Sequence, residues 1–186
     1  RYAERTTGTW RVLRGPTGSN PALVLPPAGQ VHLVALDDAD LADHVRIPGS
    51  NEWHTTVVDM GGYFYGKSSL AVDAQNRPQV SSVSGANLNL FYGLRDAGVW
   101  TLSGYQDYWA GSLGALALDP ASRPHVVYWS RIRGFTTLHG MIPSLGAWDS
   151  DPTFSDLPFL AGYSLDQAID RAGVAHALVY TERGVV

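Results

Sequence analysis

The sequence predicts an all-β protein, a β-propeller of four four-stranded repeats. An aspartate turn between two apolar runs recurs along the chain, and a tryptophan follows it by similar distances in successive repeats. The matching turn positions Pro26, Asp73, Asp119 and Asp170 are separated by 47, 46 and 51 residues. No stretch has sustained helical periodicity. A period of this length indicates a repeat architecture, and four short strands per repeat are typical of a propeller blade.

The second repeat shows the four predicted strands most clearly. Apolar and polar residues alternate in each run, as they do in a half-buried strand, and turn-forming residues separate the runs. The predicted strands cover 69–73, 79–83, 87–94 and 98–103, with turns at 75–76, 84–85 and 96–98.

The other repeats follow the same plan. In the third repeat we expect strands at 126–129 and 135–138. The segment 165–172 is too short for a stable helix, and it matches the first strand of the other repeats. The first repeat is a weaker copy, with Pro26 at the aspartate position.

The fourth repeat is completed by the beginning of the chain. No tryptophan follows His176 before residue 186, but a count continued from residue 1 reaches Trp10 at the expected distance. The predicted blades therefore cover approximately 16–60, 61–107, 108–158, and 159–186 together with 1–15. Three arrangements fit this pattern: a ring closed by its own termini, a piece of a longer propeller, or two copies that lend strands to each other.

The repeats also resemble a known group of proteins. The run 69–73 followed by Arg77 and Pro78, and the run 123–128, resemble the repeat of secreted bacterial β-propellers related to sialidase-type and lectin-type propellers. The resemblance implies a propeller fold and a secreted or cell-surface location. The sialidase aspartate box places a tryptophan in the tight turn itself, whereas here it lies a pair of strands away. The resemblance therefore implies no enzymatic activity.

Composition narrows the classes of function. The chain is 45% hydrophobic and 16% charged, which is typical of a globular domain. A net charge of -4 without a basic run argues against nucleic-acid binding. No apolar run reaches the length of a membrane span. The absence of cysteine excludes disulfides and thiolate metal sites. The sequence does not begin with methionine, so we expect that its true N-terminus was removed.

The repeated tryptophans, Trp10, Trp53, Trp100 and Trp148, are interpreted as blade-packing residues, and the repeated polar residues are interpreted as structural. Aspartate after the first strand caps a turn by accepting hydrogen bonds from backbone N–H groups nearby. Histidines at one repeat position, and an acidic run in the first repeat, could bind metal ions, but structural roles are favoured. These groups are His32, His125 and His176, and Asp37, Asp38, Asp40 and Asp43.

The segments between one repeat and the next are rich in aromatic residues. In a propeller these loops surround the mouth of the central channel, where tyrosine and tryptophan suit stacking on sugar rings or anchoring a partner. Alternatively, they fill a narrow channel. Two arginines in the third repeat would lie at the same face. The expected ligand-binding residues are Tyr63, Tyr65, Tyr105, Tyr108, Trp109, Tyr163, Arg131 and Arg133.

The favoured hypothesis is a non-catalytic binding or scaffold module that recognises a carbohydrate or a protein partner through this aromatic-loop face. We expect no catalytic residues, no metal and no cofactor, and self-association through shared blade strands is one of the arrangements above. The alternative hypothesis is a glycan-processing hydrolase or lyase, with an acid and a base drawn from Asp37, Asp107, His44 or Tyr105.

Overall fold

The structure is a computed structural model of the 186-residue chain. It describes residues 1–27, 29–59, 67–84, 89–105, 110–132, 135–144, 147–150, 157–158, 162–181 and 184–185. Side chains are described for residues 1–5, 7–27, 29–59, 67–83, 90–104, 114–129 and 164–178.

The described residues form strands and no helix, which confirms the predicted all-β class. The chain begins with an N-terminal hairpin of β1 (Tyr2–Thr6) and β2 (Thr9–Leu13). Sheet 1 follows, with β3 (Ser19–Val24), β4 (Val31–Asp37), β5 (Asp40–Arg46) and β6 (Trp53–Asp59). Sheet 2 contains β7 (Ser69–Val72), β8 (Pro78–Ser84), β9 (Asn89–Asp96) and β10 (Val99–Tyr105). No helix able to cross a membrane occurs in these residues.

Two further sheets complete the described chain. Sheet 3 contains β11 (Ala110–Leu118), β12 (Pro124–Ile132), β13 (Phe135–Ser144), β14 (Ala147–Ser150) and the short β15 (Leu157–Pro158) on β13. Sheet 4 contains β16 (Gly162–Ile169), β17 (Ala175–Thr181) and β18 (Gly184–Val185). Apart from β15, strands that are neighbours in a sheet are also successive in the chain, and all of these pairs are antiparallel.

The aspartate turns form as predicted. Asp73 Oδ1 accepts hydrogen bonds from the backbone N–H groups of Gln75, at 2.9 Å, and Arg77, at 2.8 Å. Asp119 and Asp170 each accept the same two backbone bonds at distances of 2.8–2.9 Å. The carboxylate thus satisfies donors that a tight turn leaves without strand partners, which explains why this residue recurs between the first two strands.

The hydrophobic cores lie between neighbouring sheets. One cluster joins sheets 1 and 2, and a second joins sheets 2 and 3. The first contains Val34, Leu36, Leu41, Val58, Val80 and Phe91, and the second contains Val83, Leu90, Leu116, Val126 and Tyr128. The first strands of successive sheets also contact one another, β3 with β7, β7 with β11, and β11 with β16. The sheets therefore pack face to face with their first strands on one side.

The N-terminal hairpin forms a two-stranded sheet of its own. Among the described strands, β1 and β2 pair only with each other, and no pairing joins them to β16, β17 or β18. The described strands therefore do not confirm the expected completion of a fourth blade by residues 1–15, which stays a prediction. The hairpin lies against sheet 1 instead, where Tyr2 packs edge-on against Trp53 with ring centroids 5.4 Å apart.

The repeat tryptophans are not equivalent in their surroundings. Trp100 packs against the core between sheets 1 and 2, as predicted. Trp10 is 65% exposed, contrary to the expected role in blade packing. Trp10 lies directly opposite Arg5, so both project from one face of the hairpin. Tyr2 and Glu4 alternate with Arg5 along β1, so they project from the other face, which lies against sheet 1. Because no described sheet covers the other face of the hairpin, its tryptophan stays exposed.

Candidate binding cleft

The candidate site begins with a cross-strand pair that recurs at one repeat position. Arg46 lies directly opposite Trp53 in sheet 1, and Arg95 lies directly opposite Trp100 in sheet 2. Directly opposed residues of an antiparallel pair project from the same face of the sheet. Each pair therefore presents a guanidinium and an indole ring together toward the preceding sheet or hairpin.

Arg46 is held by the N-terminal hairpin. Its guanidinium donates to both carboxylate oxygens of Glu4, at 2.6 Å and 3.4 Å, and lies 5.0 Å from the centre of the Tyr2 ring. The hydrogen bond from Arg46 lowers the pKa of Glu4, and the same bond raises the pKa of Arg46. Arg46 is only 5% exposed, so its orientation is fixed before any ligand arrives.

Two buried donors in this pair have no hydrogen-bond partner among the described residues. They are Nε of Arg46 and Nε1 of Trp53. The same two atoms lack a partner in the second pair, Nε of Arg95 and Nε1 of Trp100. A buried N–H group without an acceptor is unfavourable, so a repeated set of such groups calls for an explanation. A ligand that supplies oxygen acceptors is one such explanation.

A cleft of about 910 Å³ lies between β1 of the hairpin and sheet 1, beside the contact of the two, and we call it the hairpin cleft. Residues from both faces of β1, including Glu4 and Arg5, line it, and β1 has no strand partner on that edge. Apolar side chains from sheet 1 form its floor. The lining includes Arg1, Tyr2, Glu4, Arg5, Trp10, Arg11, Pro21, Leu23, Leu25, Val31 and Arg46.

A second cleft, of about 460 Å³, lies between sheets 1 and 2. Its lining matches that of the hairpin cleft at several repeat positions, with Val45 in place of Glu4 and His54 in place of Arg11. Arg95, which occupies the position of Arg46 in the repeat, takes a different partner. Nη1 of Arg95 lies 3.4 Å from the buried carboxylate of Asp43, which also contacts His32 at 3.3 Å. The second cleft thus resembles the hairpin cleft, except that the guanidinium of Arg95 is bound by a buried carboxylate of sheet 1.

The acidic residues of the first repeat are not part of the lining of either cleft. Asp37 and Asp40 flank a two-residue turn between β4 and β5. Asp43 lies inside β5 with no exposed surface. Among the described residues, no group of three or more histidine, aspartate or glutamate side chains is placed to hold a metal ion.

The repeated histidine position also takes part in local bonds. His32 contacts Asp43, and Nε2 of both His125 and His176 lies 3.6 Å from the turn aspartate of its own repeat. In the second repeat, Gln79 accepts a hydrogen bond of 2.7 Å from Tyr92. These contacts match the structural role expected for this position.

The residues expected to bind ligand at the aromatic-loop face lie largely outside the described part of the chain. Tyr105 ends β10, Arg131 lies in β12 and Tyr163 lies in β16, but their side chains are not among those described. Outside the described residues are Tyr63, Tyr65, Tyr108, Trp109 and Arg133. Their role in binding stays a prediction.

The acid and base candidates of the enzyme hypothesis do not meet where they are described. Asp37 lies at the β4–β5 turn, whereas His44 lies opposite Leu33 in the middle of the same pair of strands. Nδ1 of His44 lies 2.9 Å from the hydroxyl of Thr55, and burial lowers the pKa of the imidazole. Asp107 is outside the described residues, as is the side chain of Tyr105.

The arginine–tryptophan pairs did not emerge from sequence reasoning, which interpreted the tryptophans as packing residues alone. A signal was nevertheless present. An arginine stands near the end of the strand that precedes the repeat tryptophan in three successive units, as Arg5, Arg46 and Arg95.

Comparison with known proteins finds no family but several solved structures that align with this chain. No protein-family model matches the sequence, and no curated protein matches it significantly. A fucose lectin from Kordia zhangzhouensis, solved in complex with methyl-fucoside, aligns over 71% of this chain and 97% of its own, with 12% identity and a TM-score of 0.48. A protein from Lactobacillus plantarum aligns over 96% of this chain and 73% of its own, with 14% identity and a TM-score of 0.44.

A triple arginine-to-alanine mutant of AofleA from Arthrobotrys oligospora aligns over 88% of this chain, with 9% identity and a TM-score of 0.58. The chain spans about half of the AofleA protein, of which the alignment covers 50%. At this identity the likeness shows that the two chains share a fold and nothing more.

Proposed function

We propose that this chain is a non-catalytic carbohydrate-binding module and that the hairpin cleft holds the sugar. The observation that carries the proposal is the fixed Arg46 guanidinium, bound to Glu4 beside the rings of Tyr2 and Trp53, with buried N–H donors still unpaired. This arrangement combines directed polar groups with aromatic surface in one concave site.

The chemistry of a sugar matches these groups. A pyranose presents hydroxyl oxygens around its rim, which can accept hydrogen bonds from the Arg46 guanidinium in the lining of the cleft. Its C–H faces are apolar and pack on aromatic rings, and Trp10 offers such a ring at the cleft. Because Glu4 and Tyr2 already hold Arg46 in place, binding would cost little side-chain entropy.

The proposal includes the finer fold. Four sheets with the same strand order, packed face to face with their first strands together, support blades of a propeller. The hairpin matches the outer two strands of a blade, because Arg5 and Trp10 oppose each other as Arg46 and Trp53 do.

The aromatic-loop face remains a proposed second surface for a carbohydrate or protein partner, and a secreted or cell-surface location is part of the proposal. The enzyme alternative has no specific observation in its favour among the described residues, because Asp37 and His44 are placed apart.

A glycan-array screen followed by calorimetry with the best ligand tests the proposed function. We expect Trp10→Ala to weaken binding about two- to tenfold, the range of one aromatic contact. Arg46→Lys keeps the charge but removes Nε and the planar fork, so it should weaken binding further. Matched controls are Leu178→Ala, a similarly exposed apolar side chain on β17, and Arg95→Lys in the second cleft.

Circular dichroism melting of each variant separates loss of binding from loss of fold. Trp10 is exposed, so its variant should melt close to the wild type and stays informative even if Arg46→Lys unfolds. Absence of binding to any glycan would contradict the proposal. Binding that survives Trp10→Ala and Arg46→Lys but is lost in Trp109→Ala would move the site to the aromatic-loop face.

A further inference from the structure

Sheet 4 has one face that no described strand covers. β17 matches β4, β8 and β12 in the repeat, and the residues eight positions after each turn residue are Val34, Ser81, Val127 and Leu178. The first three are at most 1% exposed, whereas Leu178 is 57% exposed. On the same face, the His176 side chain is 64% exposed, whereas that of His32 at the matching position is 2% exposed. Positions that are buried in the first three sheets are therefore open in sheet 4.

The floor of the hairpin cleft is open in a corresponding way. Leu23 of β3 occupies the position of Leu70 in β7. Leu70 packs against the core between sheets 1 and 2, which contains Val34, whereas Leu23 is 53% exposed in the cleft. Because Leu178 matches Val34 and Leu23 matches Leu70, the two exposed side chains correspond to the two sides of a core that sheets 1 and 2 form with each other.

β1 has a free edge, and so does most of β17. Among the described strands, β1 pairs only with β2. On the side of β17 away from β16, the residues with described partners are Tyr180 and Thr181, which pair with β18. Residues 175–179 therefore have an unpaired edge within the described part of the chain. The N–H and C=O groups of two such edges can pair with each other.

The repeat gives the register of that pairing. In sheet 1, His32 lies opposite Val45, the residue before the repeated arginine. The equivalent residues are His176 in β17 and Glu4 in β1. Glu4 and Tyr2 face sheet 1, and directly opposed residues project from the same face of a sheet. In this register β17 therefore turns its exposed face toward the floor of the hairpin cleft.

We infer that the hairpin cleft of one copy of this chain receives sheet 4 of a second copy, with β17 paired to β1. Leu178 and Leu23 are both more than half exposed within one chain, so the chain in this structure does not cover either surface itself. A second copy supplies a covering surface for each at matching repeat positions. Because every copy carries both sides of the contact, the copies can close into a ring.

The assembly leaves the arginine end of the hairpin cleft open. The second cleft persists between two sheets that are packed on each other, and its lining includes His32, Val45 and Arg95. The equivalents around the hairpin cleft are His176 of the second copy, Glu4 and Arg46. The proposed sugar site thus gains a histidine from the neighbouring copy, although the assembly itself does not depend on the sugar.

Native mass spectrometry and light scattering at two protein concentrations test the assembly. We expect a particle of at least two copies, with a mass that is a multiple of 20.1 kDa. Leu178→Lys and Leu23→Glu each bury a charge without a partner in the proposed interface, so each should reduce the mass to that of one chain. The double variant pairs the two new charges across the interface and should recover the assembly.

Two control variants separate the interface from the rest of the surface. Leu178→Ala stays apolar and leaves a small side chain where sheet 2 has Ser81, so it should keep the assembled mass. Val99→Lys adds a charge at an exposed valine of β10, away from the proposed interface, and should also keep it. The far-UV circular dichroism spectrum of each variant should match that of the wild type, which shows that a lower mass does not come from unfolding.

A wild-type mass of 20.1 kDa at both concentrations would refute the inference. Protection of residues 175–179 from hydrogen exchange in such a monomer would show that β1 of the same chain pairs with β17. An assembly that persists in both single charge variants would show that the copies meet through another surface, and would also refute the inference. The glycan array tests sugar binding separately from all of these results.

Discussion

Replacing Asp73 with alanine tests whether the repeated aspartate holds its turn through the carboxylate. Asp73 is 4% exposed, and its Oδ1 accepts two backbone N–H groups while its Oδ2 accepts Nε of Arg77 at 2.7 Å. Alanine removes all three bonds and leaves two turn N–H groups without their acceptor. At about 1 kcal/mol for each backbone bond, the expected loss of unfolding free energy is about 2 kcal/mol.

For a domain of this size that loss corresponds to a melting temperature lower by about 4–8 °C. Urea denaturation followed by fluorescence gives the free energy directly, and the m-value should be unchanged because the surface exposed on unfolding is the same. Asp73→Asn is the conservative variant. Its side-chain oxygen can still accept the two backbone bonds, so it should recover most of the loss.

The same substitution in another repeat provides the internal comparison. Asp170 makes the same two backbone bonds, but its side chain is 44% exposed. Water can replace the carboxylate there, so Asp170→Ala should lower the stability less than Asp73→Ala. Equal losses at both positions, or no recovery in Asp73→Asn, would refute the hydrogen-bonding explanation.

Three further predictions concern other parts of the fold. Gly18→Ala should destabilise strongly, because its φ is +136° and a new Cβ would lie 2.8 Å from the Leu36 carbonyl oxygen; Gly104→Ala, with no atom within 4 Å, is its control in thermal melting. Asp43→Ala should cost about 3 kcal/mol in urea denaturation by leaving Arg95 without its buried carboxylate, and a loss below about 1 kcal/mol would contradict that role. Burial lowers the pKa of His44 from 6.5, so its contribution is present above pH 6.5 and is lost as the pH falls through the lower folded value. A stability profile that does not flatten in this range in His44→Gln would show that another group is responsible.

Much of the strand and turn arrangement follows from the sequence by itself, because its causes are local. Alternating apolar residues define strands such as β7 to β10, and each predicted strand of the second repeat overlaps an observed one. The turn aspartates bond N–H groups two and four residues onward, so a single stretch of sequence contains the whole interaction. The repeat period then predicts where the corresponding strands and turns lie in the other repeats.

The hairpin cleft and the position of the hairpin were decided only by the tertiary structure. Glu4 and Arg46 are 42 residues apart, and their contact depends on which sheet packs beside which. β1 and β2 place Arg5 opposite Trp10 just as β5 and β6 place Arg46 opposite Trp53, but an unpaired strand edge offers the same backbone groups to any partner. Local pattern therefore identifies the strands, whereas the packing of one sheet on another decides which side chains meet.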